Sequence, residues 1–505
     1  MLKDIKVPKN IKIDDLMEEL KKYIPKKDID LALLAYEFAS KAHLGQIRKS
    51  GEPYISHPLS AAYLLAKMRM DLPIVIAAIL HDVPEDTDVT LEEVEKNFGR
   101  DIASMLRGIT KLGKIKYRGV ERYIENLRKM FVAMAEDVRV MIIKFADRCH
   151  NLTTLDAQPP NKQQRIALES LEIYAPIANR LGMNEFKGML EDLSFPYIYP
   201  KEYQKVKEIR ENVFKDQEEY LQEIMKVVRK ELKKADINFI NVHGRQKRLF
   251  SLYQKLLRKG WDTKKVYDIV AIRVIVKDIG DCYATLGILH KLWRPLKGRI
   301  KDYIAQTKPN GYQSLHTTVF CERGKTVEFQ IRTQEMHDEA EYGVAAHWHY
   351  DENGGKRPNK DIAWAKEFAQ IQKDILKNLK DLEEIKVDFF KSHIFVFTPQ
   401  GDVIDLPEDA TPVDFAYQIH TDVGNQCNGA KVNDQLVSLD TPLRSGDVVE
   451  IFTDKNRKGP SPDWLKTVKT HSSKTRIKQA LGKTEGPSWW KTIFQKEKTG
   501  DKTKK

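Results

Sequence analysis

The chain has 505 residues, of which 41% are hydrophobic and 31% charged, with a formal net charge of +12. That length points to three or four domains with real cores under a well-solvated surface. No run approaches the roughly 18–20 apolar residues of a membrane span, and the N-terminus MLKDIKVPKNIKIDD has no apolar signal core, so a cytoplasmic protein is expected. The four cysteines (Cys149, Cys282, Cys321 and Cys427) are scattered without a CxxC pair, which argues against a zinc knuckle or a disulfide framework.

Residues 1–195 read as all helix. LALLAYEFASKAH, DLPIVIAAILHD, DIASMLRGIT, YIENLRKMFVAMAED and QRIALESLEIYAPIANRLG all carry apolar residues at helical spacing. SFPYIYPKEY, with two prolines, marks a boundary, and the charged stretch 196–236 reads as a helical connector. Residues 237–350 change character. VYDIVAIRVIVKD and KTVEFQIRT are β-branched runs with strand patterning, and CYATLGILHKLW between them reads as a helix. Residues 351–390 hold the linker DENGGKRPNKD and one amphipathic helix, IAWAKEFAQIQKDILKNLKDLEEI. Short strands and turns fill 391–453, with a helix at PVDFAYQIH. Residues 454–505 hold 15 Lys or Arg against 5 Asp or Glu, leaving only about +2 for the first 453 residues. Such a tail suits contact with a polyanion such as RNA; a solvated extension explains it equally well.

The stretch HDVPEDT, residues 81–87, follows an apolar helix. Ionised groups there are costly unless something pairs with them. His57, in GEPYISHPL, and Asp147, at the end of VRVMIIKFAD, join His81 and Asp82 to make a set of two histidines and two carboxylates from three helices. Mixed N/O ligands suit Mn²⁺, Fe²⁺ or Zn²⁺ rather than Ca²⁺, and such a site lowers the pKa of bound water for hydrolysis. Glu85 and Asp86, one turn beyond His81, are expected to orient or deprotonate that water. Arg48 and Lys49 are expected to bind an anionic substrate. Asn151 and Thr154 lie within reach of it, whereas His150 reads as a core histidine.

A second cluster is basic. From Ile237 to Trp261 there is no acidic residue, while Arg245, Lys247, Arg248, Lys255, Arg258 and Lys259 fall in the same window, and residues 294–318 mix Lys297, Arg299, Lys301 and Lys308 with Tyr303, Tyr312 and His316. Cations beside aromatics suit a nucleotide, with charge for the phosphates and a ring for the base. Asp268 and Glu328, on neighbouring strands, are expected to hold Mg²⁺ at a phosphoryl-transfer site. Pattern alone leaves open that both are outward-facing strand residues paired with nearby cations.

RKSGEPYISHP, HDVPEDT, FADRCHNLTT, GRQKRLFSLYQK, YDIVAIRV, GRIKDYIAQTKPNGYQSLHTTV, EFQIRTQEMHDEAEYGVAAHW and TPQGDVIDLPEDATPVDFAYQIHTDVGN occur in this order. Over about residues 20–480 the sequence thereby resembles the RelA/SpoT family of alarmone synthetase–hydrolases. The resemblance implies a multidomain α+β protein: an all-α HD-type phosphohydrolase domain, a mixed α/β nucleotidyltransferase-like synthetase domain and a β-grasp TGS domain. It implies two opposed cytoplasmic reactions, synthesis of (p)ppGpp from ATP and GDP or GTP, and its hydrolysis to GDP or GTP and pyrophosphate.

For the synthetase, the resemblance puts Mg²⁺ on Asp268 and Glu328, with Glu328 also activating the ribose 3′-hydroxyl. Tyr312 would stack on guanine and Arg273 on adenine. Arg245, Lys247, Lys255, Lys301, Lys308 and His316 would contact phosphates, with Asn310 and Gln330 also at the substrate. For the hydrolase it puts Mn²⁺ on His57, His81, Asp82 and Asp147, with Arg48, Asn151 and Thr154 holding the guanosine nucleotide. Arg299-Ile300-Lys301-Asp302 has the basic form of the motif found in bifunctional members. His420 matches the TGS position linked to the tRNA 3′ end, which implies tRNA or ribosome contact.

Pro84, Thr153, Arg248 and Thr307 depart from the family pattern. Long members continue into a Cys-rich zinc-binding region and an ACT domain, and sensing through those regions is not supported by these 505 residues. Two other readings follow from the residues: an enzyme with one live site, the hydrolase, or a ribosome- or tRNA-binding module with degenerate enzyme domains. The connector is expected to couple the two sites.

Overall fold

The computed structural model describes residues 11–113, 133, 136–263, 266, 269–308, 311–343, 393–399, 403–444, 447–454, 456–457 and 459–484. The expected amphipathic helix at 362–385, most of YIENLRKMFVAMAED, the linker DENGGKRPNKD and the last 21 residues lie outside them. The chain divides into two compact units, Met1–Lys373 and Asp374–Lys505.

The first unit begins with helices Ile13–Leu20 (α1), Lys26–Ala42 (α2), Ser56–Lys67 (α3), Leu72–Leu80 (α4), Val83–Asp86 (α5), Leu91–Phe98 (α6) and Arg100–Gly113 (α7). It continues with Arg139–Thr153 (α8), Pro160–Glu169 (α9), Ala175–Arg180 (α10) and Asn184–Ile198 (α11). α4 is apolar all round, and every residue from Ile74 to Leu80 is buried. Such a helix belongs at the centre of a bundle, and α4 packs between α3 and α8. α6 starts on a Thr90–Glu93 capping box, which satisfies two end donors reciprocally. Pro84 falls in the first turn of α5, where a missing N–H costs nothing. α8 does not stop at Asp147, as its apolar run suggested; it continues to Thr153.

The expected connector is one helix, Pro200–Lys234 (α12). It does more than connect. Tyr220, Leu221, Ile224, Met225, Val228 and Leu232 are buried in the core of the α/β part. That part is a five-stranded sheet of Phe239–Gln246 (β1), Val270–Val276 (β2), Arg294–Asp302 (β3), Leu315–Phe320 (β4) and Thr326–Thr333 (β5). Its order is β1-β2-β5-β4-β3, with β2 and β5 parallel and the other neighbours antiparallel. Leu249–Arg258 (α13), Ile279–Leu292 (α14) and Gln334–Tyr342 (α15) complete it. Strand side chains alternate between faces. Val242, Ile272, Val274, Leu315, Val327, Phe329 and Ile331 pack on α12 and α14. The residues between them form the opposite, polar face.

Two contacts fasten the helices to the α/β part. Asn184 donates to the Ala340 carbonyl at 2.6 Å. Gly343, at φ 60°, packs so closely that an added Cβ would lie 2.1 Å from the Leu181 carbonyl oxygen. Gly343→Ala therefore combines left-handed strain with a backbone clash. We expect a loss of at least about 2 kcal/mol, read as an earlier thermal transition; an unchanged transition would remove this contact from the account.

In the second unit, His393–Phe397 (β6) pairs with Val403–Pro407 (β7), and Cys427–Val432 (β8) lies between Val449–Thr453 (β10) and Gln435–Val437 (β9). Helix Pro412–Ile419 (α16) buries Phe415 among residues of both sheets, followed by Thr421–Asn425 (α17). The basic tail is not wholly a solvated extension. Trp464–Thr467 (α18) and His471–Thr484 (α19) bury Trp464 and Ile477 against α16 residues Val413, Ala416 and Tyr417. The buried Asp414 carboxylate accepts from the Thr470 N–H at 2.9 Å.

Candidate active sites

The packing of α3, α4 and α8 brings the first predicted set together. His57, His81 and Asp147 are buried and place their ligand atoms within 4.8 Å of one another. His57 Nε2 lies 3.2 Å from Asp147 Oδ1 and 3.5 Å from Asp82 Oδ2. His81 Nε2 lies 3.2 Å from Asp82 Oδ1 and 4.0 Å from Asp147 Oδ1. Ligand bonds of about 2.0–2.2 Å put neighbouring donors roughly 3–3.5 Å apart, so the spacing fits a divalent ion.

The tautomer of His81 agrees. Its Nδ1 lies 2.7 Å from the Ala78 carbonyl, which can only accept. The proton therefore sits on Nδ1, and the lone pair of Nε2 faces the site. That Nε2 is buried with no hydrogen-bond partner among the described residues, as an ion ligand would be.

Around this set, Arg48 donates to Asn151 Oδ1 at 2.8 Å, so the expected substrate pair does meet. Asn151 in turn donates to Asp147. Thr154 is one turn away, its hydroxyl 3.5 Å from the Asn151 carbonyl, and Lys49 is exposed. Glu85 and Asp86 are exposed on α5. Partial burial pushes the Glu85 carboxyl up, and Asp82 and Asp86 add to that.

Three groups here escaped the sequence reading. The Tyr54 hydroxyl donates to Asp86 Oδ2 at 2.5 Å and lies 3.1 Å from Asp82 Oδ2. Lys144 Nζ is 2.8 Å from Asp147 Oδ2. His150, read as a core histidine, places Nδ1 2.8 Å from His57 Nδ1. The spacing Lys144-Asp147-His150-Asn151 along α8 carried the signal, since all four share one helix face.

The second predicted set lines the polar face of the sheet. Strand register aligns His243, Arg273, Gln330, His316 and Lys301 in one row across all five strands. The next row holds Arg245, Ala271, Glu328 and Thr318. All of these except His243 and Ala271 floor a cavity of about 420 Å³ that Lys247, Lys255, Lys308 and Tyr312 also line. Eleven Lys or Arg line it against three Glu, so it is built for a polyanion. Asp268 and Asn310 lie outside the described residues.

Among the described residues Glu328 pairs with no lysine or arginine. Its Oε1 accepts from Gln330 Nε2 at 3.0 Å and lies 3.7 Å from His316 Nδ1. Gln330 Oε1 accepts from Arg245 at 3.1 Å. The Tyr312 hydroxyl is 2.8 Å from His316 Nε2. Burial, with Lys308 and Arg245 nearby, lowers the His316 imidazole to about 3, so it is neutral. Arg273 turns its Nη1 to Glu341, 3.1 Å away, and Arg332 Nη2 reaches the same carboxylate at 2.8 Å.

One wall was not foreseen. Asn184, Lys187, Gly188 and Glu191 of α11, from the helical part, line the same cavity. Arg248 lies over Gly188 and pairs with Glu185. Asp192 accepts from the Phe250 N–H at 2.9 Å, capping α13. In the second unit, His420 is exposed and accepts from the Asp422 N–H at 3.2 Å. Among the described residues no helix is long and apolar enough to cross a membrane.

Residues 35–184 match the model of the HD domain, 244–355 that of the region found in RelA/SpoT proteins, and 394–453 that of the TGS domain. The chain is 46% identical over 478 residues to a guanosine-3′,5′-bis(diphosphate) 3′-pyrophosphohydrolase of Aquifex aeolicus, covering 94% of this chain and 68% of that protein. It is 44% identical over 462 residues to a GTP pyrophosphokinase of Myxococcus xanthus, covering 90% and 61%. It is 43% identical over 472 residues to the bifunctional (p)ppGpp synthase/hydrolase SpoT of Escherichia coli, covering 93% and 67%.

Proposed function

The chain belongs to the RelA/SpoT family, and from that premise we propose that it both makes and degrades (p)ppGpp, at two separate sites. The observation that carries this reading is that two chemically different donor sets occur in one chain. The helical part offers two imidazoles and two carboxylates; the α/β part offers a cation-lined cavity with a carboxylate on its floor.

At the first site, His57, His81, Asp82 and Asp147 hold Mn²⁺, which suits mixed nitrogen and oxygen ligands. The ion supplies Lewis acidity for attack on the 3′-diphosphate. Arg48, Asn151 and Thr154 hold the guanosine nucleotide, and Glu85 or Asp86 takes a proton from water. At the second site, Glu328, with Asp268, holds Mg²⁺, which prefers oxygen ligands. Glu328 also takes the proton from the 3′-hydroxyl of GDP or GTP as it attacks the β-phosphate of ATP, breaking the bond from that phosphorus to the α,β-bridging oxygen so that AMP leaves. Tyr312 stacks on guanine, and the lysines and arginines neutralise phosphate charge. Arg273, which lines the same cavity, stacks on adenine. His420, exposed in the second unit, meets the tRNA 3′ end.

Two assays on the purified chain test the reading. With guanosine 3′,5′-bis(diphosphate), pyrophosphate release should require Mn²⁺. With ATP, GDP and Mg²⁺, a guanosine bis(diphosphate) should accumulate. Absence of either product removes that half of the proposal.

Lys308 gives a pH prediction. It reaches solvent at the cavity mouth, yet crowding by protein, with Lys301, Lys187 and Lys247 nearby, pushes its ammonium down to about 8. The charged form exists below that value and is lost as pH rises through it. The KM for nucleotide in synthesis should therefore rise several-fold between pH 7 and 9. Lys308→Arg, which stays charged, should flatten that rise; an equal rise in the variant would assign it elsewhere.

A further inference from the structure

We propose that His150 is a positioning residue of the hydrolase site, one that fixes the tautomer of His57 so that its Nε2 lone pair faces the metal position. The inference rests on the hydrolase reading above and goes beyond its ligands.

The argument is one of donors and acceptors. His150 is fully buried on α8, three residues after Asp147. Its Nδ1 lies 3.0 Å from Arg48 Nη1 and 2.8 Å from His57 Nδ1. A guanidinium can only donate. A proton on His150 Nδ1 would then face the Arg48 donor, so Nδ1 carries the lone pair instead. His57 Nδ1, equally close, must supply the proton between the two rings. A neutral imidazole has one N–H, so His57 Nε2 is left with its lone pair. That atom points at Asp147 Oδ1 and Asp82 Oδ2, 3.2 and 3.5 Å away. A lone pair facing two carboxylates is repulsive unless a cation sits between them.

The two histidine ligands thus reach the same state by different routes. His81 is set by a backbone carbonyl, which no substitution can remove. His57 is set by a side chain, and that side chain also touches Arg48. Because Arg48 bonds both His150 and Asn151, the residues proposed to hold nucleotide and one metal ligand share a single hydrogen-bonded network. Partners of this kind orient metal-bound histidines and raise their basicity.

Two variants of the full chain separate positioning from packing. His150→Phe keeps a ring but removes the acceptor. His150→Asn puts an amide oxygen close to the position of Nδ1 and keeps it. Mn²⁺ affinity is read by electron paramagnetic resonance titration without nucleotide, hydrolysis by pyrophosphate release, and folding by (p)ppGpp synthesis at the other site. We expect His150→Phe to weaken Mn²⁺ binding and hydrolysis about 10- to 100-fold, and His150→Asn to recover most of both. Wild-type Mn²⁺ affinity in His150→Phe, or an equal loss in His150→Asn, would overturn the inference while the hydrolase reading stood. A wild-type chain that neither binds Mn²⁺ nor hydrolyses (p)ppGpp would overturn both.

Discussion

Asp147→Ala should abolish hydrolysis of (p)ppGpp, a fall well beyond the 10- to 100-fold typical of losing a partner behind the ligands. Asp147 faces both histidines and two flanking groups: His57 at 3.2 Å, His81 at 4.0 Å and Lys144 at 2.8 Å, with Asn151 donating to it as well. Burial alone would raise its carboxyl, but Lys144 and the two histidines hold it well below the usual carboxylate range. Alanine removes the ligand and also strands the part-buried Lys144 ammonium. Breaking a fully buried pair from one side costs about 3–5 kcal/mol, and even a smaller loss here would mix lost fold with lost activity. Asp147→Asn separates the two, because it keeps the volume and one oxygen but not the charge. It should retain synthesis, lose Mn²⁺ affinity and lose hydrolysis by more than about 100-fold. Hydrolysis within tenfold of wild type in Asp147→Asn would remove Asp147 from the ligand set.

The buried His-His-Asp group was legible because its residue types are costly where the pattern put them. A histidine and an aspartate at the end of LPIVIAAIL need partners, and His57 and Asp147 sit on other apolar helices. What escaped was the layer behind them. Nothing in the spacing of Tyr54 or His150 shows which atom each presents; that depends on how α3 and α8 approach. The sheet tells a similar story. Alternation in HGRQ, AIRV and EFQIR is visible in the sequence, and it correctly gathers His243 with Arg245, and Glu328 with Gln330, on one face. The α11 wall was not visible, because Lys187 and Glu191 come from a helix more than fifty residues before β1 ends. The connector was legible as a helix, but its burial was not. Its charged face dominates the sequence, while Tyr220 to Leu232 supply a narrow apolar stripe to the sheet.

Glu328→Gln should lower the kcat of synthesis by about 10²- to 10⁴-fold, the range for a lost general base, and leave hydrolysis unchanged. The cavity contains three glutamates among the described residues, and only Glu328 stands on its sheet floor. Glu341 is engaged by Arg273 and Arg332. Glu191 is buried on the α11 wall, its carboxyl raised to about 7 by that burial. Glu328 stands on the sheet beside Thr318 and Ala271, next to His316 and Gln330. Its partner Gln330 is held from the other side by Arg245, so the carboxylate is aimed by a neutral amide rather than neutralised by a cation. Glutamine at 328 has nearly the same shape and can still accept from Gln330, but it can neither take a proton nor offer a charge to Mg²⁺. These two losses differ in their remedy. A weakened Mg²⁺ site recovers as Mg²⁺ is raised; a missing base does not. With both roles on one carboxylate, excess Mg²⁺ should restore only a small part of the rate. Full restoration by Mg²⁺ would confine Glu328 to metal binding, and synthesis within tenfold of wild type would remove it from the reaction. Loss of hydrolysis alongside synthesis would instead report a damaged fold, since the proposed hydrolase ligands lie on α3, on α8 and in the turn between α4 and α5, and share no strand with Glu328.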